Sequence, residues 1–270
     1  RVMPLGDSIT KGVGSTPLDA LNGYRDELYT SLIADGASVP NAYTVDFVGG
    51  ESHGLNTFDT DHEGHGGWNS SQVADAVHGW LGINPPDVIL LHIGTNSLTT
   101  DPSETARILD EIDRFNPAIR VILARIVDRA STSSVVTTYN NNLAAMAQQR
   151  IADGDLITIV DMQPALIYPD DMYYMDDSTD DLHPRDSGYA KMSGVWFNTL
   201  SPMLQDLCGA PTIFSVPVTS VTISDSYVYD VRAVGQPTLS YSLVQAPTGM
   251  TIDPASWLID WQPTGVDTFP

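Results

Sequence analysis

From residue 2 to about 203, short apolar runs alternate with stretches of helical periodicity, a rhythm that βαβ units building a parallel sheet satisfy. Five runs read as strands, at 2–5, 43–48, 88–93, 120–126 and 156–160. Each is rich in aliphatic or β-branched residues, as strands covered on both faces require. Helical patterns fall near 19–34, 70–81, 103–114, 135–152 and 187–204. The third places Ile108, Leu109 and Ile112 on one face, begins at Ser103 as a capping-box residue, and stops at Pro117. A strand that delivers its last residues onto a tight turn before a helix exposes them at the carboxyl edge of the sheet, where ligands of open α/β sheets gather.

Right-handed crossovers leave few topologies for five such units. The most economical is a flavodoxin-like, doubly wound five-stranded parallel sheet in the order 2-1-3-4-5. After residue 207 the texture changes. Ile213, Val216, Val218, Val221 and Ile223, then the run from Tyr227 to Val234, alternate with period two between prolines and glycines. The expected organisation is an α/β domain over 1–207, a linker at 208–212, and an all-β sandwich module of immunoglobulin-like type over 213–270. That module is short for its class, so the native protein is expected to continue past Pro270. The abrupt start at Arg1 leads to the expectation of a processed or trimmed N-terminus.

Charge narrows the partners. With 34 acidic against 12 basic residues the chain carries −22 at pH 7, which repels phosphate backbones and anionic lipid surfaces. Nucleic acid is therefore excluded as a partner. A heavily hydrated acidic surface fits an extracellular or salt-exposed setting. Cys208 is the only cysteine, so neither an intrachain disulfide nor a cysteine-based zinc cluster can form. No apolar run approaches the roughly 18 residues of a membrane helix, so membrane insertion is not expected.

Four blocks carry candidate chemistry. In Gly6-Asp7-Ser8, a small hydroxyl residue follows a glycine at the end of the first strand; such serines usually cap a turn, and become nucleophiles only when a base and an oxyanion site stand beside them. Asp180-Asp181-Leu182-His183 precedes the last helix. An Asp three residues ahead of a His on a compact turn can hold the Nδ1–H and leave Nε2 free to take a serine proton. Gly94-Thr95-Asn96 follows the third strand, and Asn96 offers a side-chain NH₂ to a developing oxyanion or, more plainly, an Asx-turn.

The fourth block is His62-Glu63-Gly64-His65-Gly66-Gly67-Trp68, where a glycine backbone N–H such as that of Gly67 can approach the same oxyanion. His62 and His65 lie three apart on a glycine-broken loop, which favours loop hydrogen bonding over zinc. Asp7 is read as a group that holds the serine loop by hydrogen bonding. The acidic run Asp170, Asp171, Asp176, Asp177 has calcium-type oxygens but reads better as a solvated loop, so neither metal nor cofactor is called for. Trp257 and Trp261 read as module core ahead of a sugar-stacking pair.

Together and in this order, the four blocks over about 1–206 resemble the SGNH, or GDSL-type, hydrolase family. The resemblance implies Ser8 as nucleophile, His183 as base, Asp180 as its partner, and an oxyanion hole of Ser8 N–H, Gly67 N–H and the Asn96 side chain. Within the family, Met3 to Thr10, Gly23-Tyr24-Arg25, Val45 to Gly49 and the block from His62 to Trp68 are similar to carbohydrate esterase family 3, whose members deacetylate xylan. Those enzymes commonly follow GTN with Asp, where this chain has Ser97. The implied activity is a secreted serine esterase that removes acetyl or other short acyl groups from an acetylated polysaccharide. The alternatives are a lipid-directed or aryl esterase, and a non-catalytic carbohydrate-binding or adhesion protein.

Overall fold

The computed structural model describes residues 1–39, 42–97, 99–129, 133–175, 178–208, 212–234, 239–254 and 256–265; the side chains at 133, 173–175, 178–181, 212 and 234 are also outside the description. It divides into two units, residues 1–37 with 44–201, and residues 38–43 with 202–270.

In the first unit, β1 (Val2–Gly6) is buried at all five positions and lies inside a six-stranded sheet. Its neighbours are β3 (Asp61–Gly64) on one side and β4 (Val88–His92) on the other, both parallel. Beyond β4 follow β5 (Arg120–Arg125) and β6 (Ile157–Asp161), while the two-residue β2 (Glu51–Ser52) pairs antiparallel to β3 at the edge. The sheet order is β2-β3-β1-β4-β5-β6, so its five parallel strands run in the expected 2-1-3-4-5 order.

One expected strand is corrected. Segment 43–48 joins the sheet only as a single bridge, Phe47 against Val2, and the true neighbour of β1 is the later β3. Pro4 explains the handover. Val2 bonds toward Asp46 and Val48, and the Gly6 carbonyl accepts from His65 N–H at 3.0 Å. Alternate residues of a parallel strand bond to the same side, so Pro4, which has no N–H, faces the gap between Phe47 and β3. A proline inside a central strand is tolerated because no ladder bond is required of it there.

Helices α1 (Ser8–Lys11), α2 (Arg25–Gly36), α3 (Ser70–Ile83), α4 (Ser103–Phe115), α5 (Ser133–Asp153) and α6 (Asp186–Cys208) connect or cover the strands. Val73, Ala74, Val77 and Leu81 of α3 join Ile108, Leu109 and Ile112 of α4 in one core with Met3, Leu5, Ile89 and Leu91 of the sheet. The capping box is on α3, where Asn69 and Gln72 each accept the other's backbone N–H at 3.0 Å. Ser103 does not cap α4. It is the first helical residue, and its N–H goes to Asp101 Oδ1 at 2.9 Å.

The second unit departs further from expectation. Among its described residues are a three-stranded antiparallel sheet of β10 (Tyr227–Asp230), β13 (Leu258–Trp261) and β12 (Thr251–Ile252), and a two-stranded sheet of β9 (Thr212–Ile213) with β11 (Ala233–Val234). A full sandwich is not established by these short pairs. Residues 214–226, whose alternation reads as strand, form none, and Val216, Val218 and Ile223 are exposed. Alternation marks a segment able to pair, and pairing itself needs an edge to receive it. No helix of the described residues is long and apolar enough to cross a membrane.

Two buried charges frame the turn after β1. Arg25 is fully buried, and its guanidinium donates to the carbonyls of Thr10 (3.0 Å), Thr60 (2.9 Å), Lys11 (3.1 Å) and Leu21 (2.6 Å). Burial lowers its pKa to about 10, so it stays charged at neutral pH. Asp7, also fully buried, caps α1 by accepting Ile9 N–H at 2.9 Å. Burial pushes its carboxyl up to about 7, against the opposing pull of that N–H.

Arg25→Met should lower stability by on the order of 3 kcal/mol or more, because it takes the guanidinium from four carbonyls, of which that of Thr60 keeps a second donor in His53 N–H at 3.3 Å, and Arg25→Lys should not restore it because an ammonium lacks the planar fork. Chemical denaturation of the three proteins checks this. For Asp7 the native carboxyl binds its proton more tightly than the unfolded one, so the stability of the protein relative to Asp7→Asn should fall as pH rises from about 4 to about 7 and level off above. Unfolding midpoints of both proteins across that range test the sign.

Candidate active site

Ser8 is the first residue of α1, directly after Gly6 and Asp7, and its side chain is almost wholly buried. Gly6 has no room for a side chain, since a Cβ there would lie 2.2 Å from the His92 carbonyl oxygen of β4. The close approach of β1 and β4 at this point sets the serine turn against the loop that follows β4. As an N-terminal helical residue, Ser8 keeps its backbone N–H outside the helical ladder.

His183 comes from outside the sheet. The expected compact turn is instead a strand: Asp180 to His183 lie in β8 (Ser178–Pro184), which pairs antiparallel with β7 (Met172–Met175). His183 Nε2 stands 2.7 Å from Ser8 Oγ across 175 residues of sequence. The side chain of Asp180 lies outside the described residues. The hairpin is tied to α6 through Asp171, which accepts from Ile167 N–H at 2.6 Å, from the Ser187 hydroxyl at 2.7 Å and from Lys191. Burial alone would raise the Asp171 carboxyl, but these donors, Lys191 foremost, hold it below the usual range.

The glycine-rich block divides between strand and turn. His62, Glu63 and Gly64 belong to β3, and Glu63 and Gly64 pair with Leu5 and Gly6. Beyond them Trp68 N–H donates to the His65 carbonyl at 3.2 Å, closing a turn over 65–68. Gly67 occupies its third position with φ +79°, the left-handed value that a type II turn demands there. Gly66 and Gly67 are exposed, and the space a Cβ would fill at Gly67 is open to 4 Å. No hydrogen bond among the described residues takes the Gly67 N–H.

Asn96 lies two residues beyond Gly94 in the loop after β4, and its Nδ2 donates to the Trp68 carbonyl at 2.8 Å. One amide hydrogen is thereby spent on orientation, and the second remains for a ligand. The structure thus brings Ser8, His183, the 65–68 turn and Asn96 to one edge. His62, in β3, and His65, in the turn, both make hydrogen bonds. His62 Nδ1 accepts Gly64 N–H at 2.8 Å and its Nε2 meets His53 at 3.2 Å; burial drives its pKa far below the ordinary imidazole range.

Sequence reasoning did not single out Arg25 or Glu63 for a role. An arginine at a helix start normally reads as solvent-exposed, and a glutamate among histidines reads as loop charge. Only the parallel placement of β3 beside β1 puts Glu63 indoors, with 1% of its side chain exposed. A hydroxyl in hydrogen-bonding reach of an imidazole, beside unengaged N–H donors, is an arrangement suited to acyl transfer.

Known proteins share this arrangement's setting. A family 3 carbohydrate esterase from Clostridium thermocellum is similar in structure, with a TM-score of 0.67 and 29% identity over 77% of this chain and 98% of its own. An acetyl esterase mutant solved with acetate ion matches with a TM-score of 0.63 and 25% identity over 76% and 98%. In sequence, a multidomain esterase from Ruminococcus flavefaciens is 26% identical over 244 residues, covering 76% of this chain but 29% of that protein, so the chain spans under a third of that relative's length. The model of the GDSL-like lipase/acylhydrolase family matches residues 5–191, well over half of the sequence. The chain belongs to the GDSL-like lipase/acylhydrolase family, whose chemistry is carboxylic ester hydrolysis.

Proposed function

We propose that the first unit is a serine esterase that removes acetyl or other short acyl groups from carbohydrate, with acetylated xylan or a related polysaccharide as substrate. The observation that carries the mechanism is the 2.7 Å approach of His183 Nε2 to Ser8 Oγ. Similarity to a family 3 carbohydrate esterase and to an acetyl esterase supports the substrate class.

In this reading Ser8 Oγ attacks the ester carbonyl carbon as its proton passes to His183 Nε2. The carbonyl oxygen becomes an oxyanion held by Ser8 N–H, Gly67 N–H and Asn96 Nδ2. Collapse breaks the bond to the sugar oxygen, which leaves with the proton from His183. Water then attacks the acetyl-serine and gives a proton to the same nitrogen; the second collapse breaks the bond to Ser8 Oγ, which takes that proton back, and releases acetic acid, which ionises to acetate in solvent. Asp180 is assigned to orient the imidazole and stabilise its cation. The exposed Gly66-Gly67 turn suits a polymer-borne ester that must reach the oxyanion donors from outside.

Ser8→Ala and His183→Ala should each nearly abolish release of acetate from acetylated xylan and from p-nitrophenyl acetate, and Asn96→Ala should lower kcat about 100-fold or more. A series of aryl esters from acetate to decanoate should show activity confined to the short chains. Preference for long chains would instead favour a lipid-directed esterase, and a Ser8→Ala protein as active as the original would remove the mechanism.

A further inference from the structure

Both oxyanion donors outside the nucleophile turn hang on the same four residues. Gly67 supplies its N–H from within the 65–68 turn, and Asn96 is oriented by the Trp68 carbonyl that ends it. Whatever holds this turn therefore holds two of three donors. Gly66 and Gly67 are exposed and contribute no side chain, so packing of the turn falls to its two ends, His65 and Trp68, both against Trp80.

His65 and Glu63 provide the hold. Backbone groups of His65 tie the turn to β1 at one end, through its N–H on the Gly6 carbonyl, and close the turn at the other, through its carbonyl on Trp68 N–H. Its imidazole stacks on Trp80 of α3, centroids 4.4 Å apart and planes within 8°, and lies 4.6 Å from the Trp68 ring. At the ring's far end Nε2 meets Glu63 Oε2 at 2.7 Å. Glu63 is buried, and its other oxygen accepts Gly50 N–H, so the carboxylate is anchored to backbone before it meets the imidazole. A rigid acceptor on one side and a stacked indole on the other leave the His65 ring a single orientation.

We infer that Glu63 and His65 are positioning residues for the oxyanion hole, with the carboxylate–imidazole pair setting the 65–68 turn so that Gly67 N–H and Asn96 Nδ2 converge on the reacting carbonyl oxygen. The inference rests on the assignment of Ser8 as nucleophile. Neither side chain touches substrate. Their effect is exerted in the transition state, where the oxygen carries charge, and is nearly silent in the ground state. A displacement of the donors by a fraction of an ångström to an ångström is sufficient for losses of 10- to 100-fold, on the order of those known for misplaced catalytic groups.

The test uses Glu63→Gln, which keeps the shape but removes the charged acceptor, and His65→Phe, which keeps a ring against Trp80 but removes both nitrogens. With p-nitrophenyl acetate each should lower kcat about 10- to 100-fold with KM within twofold, and binding of a boronic acid that forms a tetrahedral adduct on serine should weaken in proportion to kcat/KM. In an Asn96→Ala background the same substitutions should cost distinctly less, since one of the two donors they position is already gone. Folded variants with kcat within threefold of the original, a rise in KM at unchanged kcat, or full multiplicative losses in the Asn96→Ala background would overturn the inference. So would collapse of both variants, which would make the pair a purely structural clamp. If only Glu63→Gln fails to fold, His65→Phe carries the test. Ser8→Ala run alongside separates the two readings: if it retains hydrolysis, the nucleophile assignment falls first; if it is dead while both variants keep their kcat, the positioning role alone falls.

Discussion

Parallel pairing of β1 with β3 on one side and β4 on the other is the constraint on which the site depends. Register fixes Gly6 opposite both Gly64 and His92, so the three chains leave the sheet at the same height. A serine turn, a glycine turn and an asparagine loop are thereby delivered to one edge, within reach of a single small group. A slip of one residue in either ladder would turn alternate side chains to the opposite face and separate these loops. The apolar content of β1 and β4, buried at every position, makes such a slip expensive.

That edge is costly to build, because four loops crowd there with backbone groups that need partners away from water. The chain answers with buried ionisable side chains, each of which bonds to backbone. Arg25 donates to four carbonyls, Asp7 accepts Ile9 N–H, Glu63 accepts Gly50 N–H, and Asp171 accepts Ile167 N–H. Each would be unfavourable as an isolated buried ion, and each becomes tolerable because it satisfies groups that would otherwise be unpaired. Charge in this interior is a means of stiffening loops. It differs in kind from the acidic surface, which accounts for most of the −22 and bears on solvation.

The proposed base reaches the serine by a different route. His183 belongs to a hairpin outside the central sheet, and its position depends on the Asp171 anchor and on the start of α6. The proposed nucleophile and base thus sit on separately supported elements that meet at the 2.7 Å contact. The proposed oxyanion donors lie beside a third support, the Glu63–His65 pair against Trp80.

The amino-acid sequence alone determined the βαβ rhythm, the order of the parallel strands, and the four blocks that meet at the edge, because these rest on short-range periodicity and on turn chemistry that any chain must obey. Ser8, Gly67, Asn96 and His183 stood out as candidates within those blocks, and the roles proposed for them came from the resemblance to a hydrolase family. Tertiary structure decided what lay beyond local pattern. Segment 43–48 has a strand's composition, yet Pro4 withholds the N–H that would continue its pairing, and β3 takes its place. Asp180 to His183 read as a turn and instead run within β8, whose ends at Ser178, Thr179 and Pro184 pair with β7 while the residues between lie at a register shift. The alternating residues 214–226 had no such partner among the described residues. Arg25 and Glu63 carry side chains that sequence assigns to water, and only the closing of the sheet around them turned those charges inward, where unpaired backbone was waiting.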